Sequence, residues 1–217
     1  TLAEEQVVEA AKRCLECGIC SECLQCVFAC RAEAINHNDR EERVDVKVGA
    51  VILTPGFKTV EGNIRPEFGY GVYPNVVTSL EFERMLSASG PYAGVVQRPS
   101  DAGHPRKIAF IQCVGSRDIS CGQDYCSSVC CMYATKQAII AREHDAHIKP
   151  TIFYMEMRAF GKDFDKYVER AKNEYGVKYR RAMVSAVREE PGTGDLIVRT
   201  AAEDGKLASE KFDMVVL

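Results

Sequence analysis

Tryptophan is absent from these 217 residues, and so are a long apolar run, an excess of basic charge and a glycine-rich phosphate turn. No apolar stretch approaches the roughly 20 residues that cross a bilayer. The longest runs are short, at 49–53 and 214–217, so no membrane role is expected. A net charge of −3 with 27% charged residues carries no electrostatic footprint for nucleic acid. Gly-x-Gly-x-x-Gly, the turn that lets backbone approach a pyrophosphate, occurs nowhere. The missing tryptophan excludes nothing by itself. No secretory signal is legible, so a reducing, cytoplasmic setting is expected, in which thiols serve metal or redox chemistry more often than disulfides.

What the chain has is cysteine, eleven in all. Six stand between Cys14 and Cys30, at Cys14, Cys17, Cys20, Cys23, Cys26 and Cys30. The last four have the C-x2-C-x2-C-x3-C spacing of a bacterial-type iron–sulfur run. Short loops turn each sulfur inward, and Gly18, Ser21 and Ala29 leave room for the turns. The residue after Cys30 is Arg31, where proline often follows. A zinc site would be satisfied by any four of these thiolates, although six are more than one zinc needs and no finger-length loop separates the pairs. A disulfide framework would require an oxidising compartment. Cys14 and Cys17 are alternates, able to replace two of the four or to help hold a second centre.

Along the chain, residues 3–13 are strong helix formers with acids first and bases last, which suits the helix dipole. Residues 37–43 are a polar, solvated loop. Residues 44–48 alternate with period two and 49–53 run apolar, predicting a half-exposed strand followed by a buried one. The latter ends at Thr54, Pro55 and Gly56, which reads either as a plain Pro-Gly turn or, since a buried strand followed by Thr-x-Gly resembles the pattern that closes the dinucleotide-binding half of flavoprotein disulfide-reductase-like domains, as a place where glycine would let backbone approach a flavin. Residues 58–80 read as irregular, 80–88 as a short amphipathic helix capped by Thr78 or Ser79, and 89–106 as a linker rich in glycine and proline. From Lys107 the order β-α-β-α-β-β-β predicts an α/β unit with an antiparallel excursion. Its helices are expected at 132–143 and 163–175. The run at 212–217 reads as a buried strand with no turn after it, and the sequence opens at Thr1, so a piece of a longer protein is expected.

A second cysteine group lies where a dinucleotide-binding turn would follow the first strand of that unit. Cys113, Cys121, Cys126, Cys130 and Cys131 span nineteen residues. Such cysteines are often small buried hydrophobes, the plain reading of Cys121. The adjacent pair Cys130-Cys131 is a candidate for thiol oxidoreductase chemistry or a vicinal disulfide. Cys113, Cys126, Cys130 and Cys131 are candidates for a second cluster, with a spacing outside the common motifs.

Four stretches resemble the HdrA family, the iron–sulfur flavoprotein subunits of heterodisulfide reductase. They are RCLECGICSECLQCVFAC at 13–30, VGAVILTPGF at 48–57, NVVTSLEFERML at 75–86, and IAFIQCVGSRD with YCSSVCCMYATKQA at 108–138. The last, with its C-x12-C-x3-C-C spacing, is the most specific. The first also resembles iron–sulfur inserts of glutamate synthase small-subunit relatives. The resemblance implies an iron–sulfur flavoprotein with a thioredoxin-reductase-like core, an oxidoreductase subunit that passes electrons between 4Fe-4S clusters and FAD in an electron-bifurcating complex. By this likeness Cys113, Cys126, Cys130 and Cys131 would bind an atypical four-iron cluster, and Cys20, Cys23, Cys26 and Cys30 a ferredoxin-like one. Thr54, Pro55 and Gly56 would line the flavin. Partners would be other subunits of the complex and ferredoxin or another electron donor. The expected organisation is a ferredoxin-like insert at 1–43, the C-terminal part of an FAD domain at 44–88, a linker at 89–106, and a degenerate Rossmann unit at 107–217. Without the pyrophosphate turn, FAD is expected in the full-length protein and the isolated piece is expected to be inactive. A zinc-stabilised, non-redox interaction module is the contrasting expectation.

Overall fold

The computed structural model describes residues 3–12, 24–54, 56–201 and 205–217, with the backbone alone at 10–12, 25 and 26. The chain divides into two compact units, Thr1–Pro55 and Gly56–Leu217.

In the first unit, helix α1 spans Glu4–Lys12 with Glu4 and Glu5 in its first turn, where the helix dipole favours negative charge. A one-turn helix α2 spans Gln25–Ala29 and is entered through Leu24 in the left-handed region, φ 58°. Residues 30–54 form no strand or helix. The two strands expected at 44–48 and 49–53 are therefore absent, and their side chains are solvent-facing, with Ile52 87% and Leu53 83% exposed. A strand exists only through hydrogen bonds to a neighbour, and among the described residues these segments pair with none.

The second unit is built around a parallel sheet. Its strands are β1 (Val76–Val77), β2 (Lys107–Ile111), β3 (Lys149–Tyr154), β4 (Lys178–Arg181) and β8 (Met214–Val216). They lie in the order β1-β8-β2-β3-β4, all parallel. Helices α3 (Ser79–Leu86), α4 (Cys130–His144) and α5 (Phe164–Asn173) connect them. Between β4 and β8 the chain makes an antiparallel sheet of β5 (Met183–Glu189), β6 (Leu196–Ala201) and β7 (Leu207–Phe212). The fold is thus α/β, with the antiparallel excursion where the element order placed it.

Two cores flank the parallel sheet. On the helix side Ile108, Phe110, Ile152 and Met214 pack with Phe82, Met85, Ala134 and Ala138. On the other side Ala109, Ile111, Phe153 and Val215 pack with Val187, Leu196, Val198 and Phe212 of the antiparallel sheet. Successive residues of β2 therefore enter opposite cores, which is why the strand is continuously apolar. Asp213 sets the register of the central pair. Its carboxylate accepts from the Arg106 and Lys107 amides at 2.5 and 2.7 Å, and its own N–H donates to the Lys107 carbonyl at 2.9 Å.

Thr78 caps α3 in a reciprocal box: Glu81 N–H donates to its hydroxyl at 3.3 Å, and Glu81 Oε2 accepts from the Thr78 amide at 2.6 Å. Residues 89–106 lie inside the second unit. Val96 is buried there, Arg98 donates to Asp195 Oδ1 and the Thr193 carbonyl, each at 2.7 Å, and Ser100 bonds the fully buried Asn75. This stretch therefore ties the antiparallel sheet to the parallel one.

Phe110 is 1% exposed and meets Phe82 edge to face at 5.5 Å. Phe110→Ala is expected to cost about 3–5 kcal/mol in urea unfolding, against about 1 kcal/mol for loss of the α3 cap in Thr78→Ala. Equal losses would mean that the two-sided core does not carry the unit.

Candidate functional site

β2 leads through α4 to β3 on one side, while β8 pairs with β2 on the other. The C-terminal ends of β2 and β8 therefore flank the point where strand order reverses, the usual place for a site in an open parallel sheet. Cys113, Cys130 and Cys131 of the second cysteine group lie at this edge of the sheet. Immediately after β2, Cys113 sits in the left-handed region at φ 61°, and Gly115 follows at φ 66°. A Cβ on Gly115 would approach Ile64 Cγ2 to 2.9 Å, so a side chain at position 115 is disfavoured both by φ and by crowding. Cys130 and Cys131 occupy the first turn of α4, only 8% and 3% exposed.

Three of these thiols are linked. Cys130 is held far below the usual thiol range, first by its hydrogen bond with Cys113 and then by that with Cys131, against the opposing effect of burial. Its two partners are pushed up, each by its bond to Cys130 and then by burial. The three thiols thus titrate as a coupled set that favours one shared thiolate over three neutral thiols. Cys131 also donates to the Glu156 carbonyl at 3.8 Å. Thr135 bonds the Cys131 carbonyl at 2.8 Å and meets the Tyr179 hydroxyl at 3.1 Å, a buried prop beneath the pair. Glu156 in turn lies between Arg117, at 3.3 Å, and Arg158, at 2.5 Å.

Cys126 stands in the loop before α4, its sulfur accepting the Ser128 amide at 3.3 Å. It is on no helix turn shared with Cys130. Cys121 faces elsewhere, donating to Asp118 Oδ2 at 3.4 Å. Beside the thiols opens a cavity of about 340 Å³ whose lining includes Cys113, Cys130, Ile111, Val60, Phe57 and Tyr133. The rings of Phe57 and Tyr133 stack at 6.3 Å.

Of the residues picked from the sequence, Cys113, Cys130 and Cys131 are brought together, with Cys126 in the adjoining loop. Cys14, Cys17, Cys20, Cys23 and Pro55 lie outside the described residues, as does the side chain of Cys26. Cys30 belongs to the first unit, its thiol lowered chiefly by the amide of Ala34, which approaches at 3.4 Å. Thr54 is exposed, and Gly56 has φ 72° with nothing within 4 Å of a Cβ placed on it. Gly56 is required there by its turn and not by crowding. Among the described residues no group of three or more His, Cys, Asp or Glu side chains is arranged to hold a metal ion. The residue types are those of a soft, thiolate-bound centre: Cys130 and Cys131 are buried in the first turn of α4, and the half-buried Cys113 borders the same cavity as Cys130. Ser116, Phe57 and Tyr133 were not singled out from the sequence, because a serine or an aromatic has no spacing signature of its own.

The fold is thus an α/β unit with cysteines at the C-terminal edge of its parallel sheet, where open sheets of this kind usually carry their site. No family model matches the chain. It is 42% identical over 207 residues to a CoB–CoM heterodisulfide reductase iron-sulfur subunit of Methanocaldococcus jannaschii, covering 94% of this chain and 30% of that protein. A CoB–CoM heterodisulfide reductase iron-sulfur subunit of Methanopyrus kandleri is 47% identical over 189 residues, 86% of this chain and 28% of its own. The corresponding subunit of the H(2):CoB-CoM heterodisulfide,ferredoxin reductase of Methanothermobacter marburgensis is 41% identical over 201 residues, 91% and 30% respectively. Over nearly its whole length the chain is related to the HdrA subunits of heterodisulfide reductases, and it spans about 30% of the length of these curated relatives.

The loop between Cys113 and Cys126 is braced by Asp118. Its carboxyl is held down at about 2, chiefly by the Ser120 hydroxyl and then by Cys121, the Ser120 amide and Arg65. A depressed carboxyl stabilises the folded state above its unfolded pKa of 3.8 and loses that contribution as pH falls toward about 2. Asp118→Asn is therefore expected to lower stability at neutral pH, where the carboxylate's contribution is fully present, and to converge with wild type as pH falls toward about 2, which flattens the acid limb between about pH 4 and 2. An unchanged acid limb would remove Asp118 as the brace.

Proposed function

We propose that this chain is the cluster-carrying part of an iron–sulfur flavoprotein that transfers electrons within a heterodisulfide-reductase-type complex. The observation that carries the reading is the convergence of Cys113, Cys130 and Cys131 at the switch point, in a chain whose relatives are named as iron-sulfur subunits. Cys113, Cys126, Cys130 and Cys131 would hold one four-iron cluster. Cys20, Cys23, Cys26 and Cys30 would hold a second, with Cys14 and Cys17 as alternates. FAD would be bound by the complete protein, with Thr54, Pro55 and Gly56 at its edge.

Thiolate-ligated clusters supply one-electron steps at low potential, and a flavin supplies the junction between one- and two-electron chemistry. The residues of this chain orient and seal. Cys113 is aimed by its left-handed turn, α4 brings Cys130 to the cavity and Cys131 to the Glu156 carbonyl, and Phe57 and Tyr133 wall the cavity. Other subunits of the complex and ferredoxin are the partners; a relative in Methanosarcina acetivorans is named for ferredoxin and F(420)H(2) dependence. In domain terms, 1–43 would be a ferredoxin-like insert, 44–88 the end of a thioredoxin-reductase-like flavin domain, and 107–217 a degenerate Rossmann unit. The soluble, cytoplasmic setting belongs to the same proposal; no described helix is long and apolar enough to cross a membrane.

A second reading has one observation in its favour. Cys130 and Cys131 are adjacent and buried in the first turn of α4, the makings of a thiol–disulfide couple.

Iron, acid-labile sulfide and zinc counted on protein purified without oxygen decide the matter. About eight irons per chain are expected, falling to about four in either Cys130→Ser or Cys20→Ser. Zinc in place of iron, in a colourless preparation, would replace the electron-transfer reading with a structural one. Loss of thiol exchange in Cys131→Ser with iron unchanged would favour the dithiol.

A further inference from the structure

We infer that Ser116 is the positioning residue for Cys126. Cys113, Cys130 and Cys131 are placed by regular structure, at the end of β2 and the start of α4. Cys126 is not; it stands in a loop with neither helix nor strand around it. One hydroxyl ties down both of its flanks. Ser116 Oγ donates to the Tyr125 carbonyl at 3.0 Å and accepts the Ser127 amide at 3.1 Å. These belong to the two peptide groups on either side of Cys126. The same serine is anchored to the first thiol of the group, because its own amide donates to the Cys113 carbonyl at 3.2 Å. One residue thus joins the Cys113 turn to both flanks of Cys126.

The anchor is firm. Cys113 and Gly115 hold the left-handed turn, and Gly115 is pressed against Ile64. On the far side, Arg117 also donates to the Tyr125 carbonyl at 3.0 Å, and Asp118 pairs with Gln123 as an isolated antiparallel bridge. Removing the hydroxyl leaves Tyr125 held by Arg117 but takes the acceptor from the Ser127 amide. On its C-terminal side Cys126 then keeps only its local contacts with Ser128.

The consequence for iron rests on the proposed function; the positioning itself does not. In the complete protein, purified without oxygen, Ser116→Ala is expected to release iron to a ferrous chelator several-fold faster than wild type. Ser116→Thr, which keeps the hydroxyl, tracks wild type. After chelator treatment under reductant, Cys126 is expected to alkylate several-fold faster with iodoacetamide in the alanine variant, read peptide by peptide by mass spectrometry. Cys121, outside the thiol group, is the internal control, and far-ultraviolet circular dichroism shows that the variants are folded. A wild type without iron would sink the cluster reading and leave the alkylation rates to judge Ser116. Equal Cys126 rates in Ser116→Ala and wild type, or a threonine variant that behaves as alanine, would overturn the positioning role.

Discussion

Ile108 and Phe110 face the helices while Ala109 and Ile111 face the antiparallel sheet, so strand β2 gives up water on both sides. This two-sided burial is what the rest of the second unit depends on. A strand with no wet face must satisfy its backbone through neighbours on both edges, and β8 and β3 supply them. Asp213 closes the N-terminal end of that arrangement by bonding the amides that enter β2. With its start pinned and both faces committed, β2 can deliver its next residue, Cys113, to only one place.

That place is where a glycine-rich turn would normally cradle a phosphate. Here the turn keeps the tight backbone but not the cradle: Cys113 and Gly115 take the left-handed conformations, and the space is claimed by sulfur. The start of α4 still contributes its unpaired amides and positive dipole end. Those features favour a thiolate as readily as a phosphate, so the start of a crossover helix suits a thiol. Burial raises the energy of any charge placed there, and the hydrogen bonds among Cys113, Cys130 and Cys131 offset it by gathering the negative charge on one sulfur.

How much of this the sequence disclosed follows from which signals are local. The strand at 108–112, the helix at 132–143 and the Thr78 cap are written in apolar runs and capping residues, and each formed, with α4 starting two residues early at Cys130. The stretch at 44–53 carries an equally clear strand pattern and formed none. Its apolar residues state a preference, but a partner has to come from elsewhere in the chain, and local pattern cannot supply one. Residues 89–106 misled in the opposite way. Glycine and proline gave them the composition of a linker, while Val96 and Arg98 bind them into the second unit through contacts about a hundred residues distant. In the site, the cysteines were legible because the residue type is rare and reactive. Ser116 was not, since its role depends on loop closure between two segments eleven residues apart.

The contrast between the two cysteine groups has the same origin. A run spaced by two or three residues can bring its sulfurs together through its own short turns, so its regularity is visible in the sequence. The second group is irregular because a tertiary scaffold does the gathering. Cys130 and Cys131 are adjacent on α4, about 100° apart around the helix axis by its 3.6-residue turn, and they face different surroundings. Cys130 borders the cavity with Cys113, and Cys131 reaches the segment after β3 through Glu156. Neighbouring residues thus serve two sides of one site, and the thirteen-residue step from Cys113 to Cys126 is folded back by a serine hydroxyl. Spacing that looks arbitrary along the chain is the spacing that this sheet, this turn and this helix require.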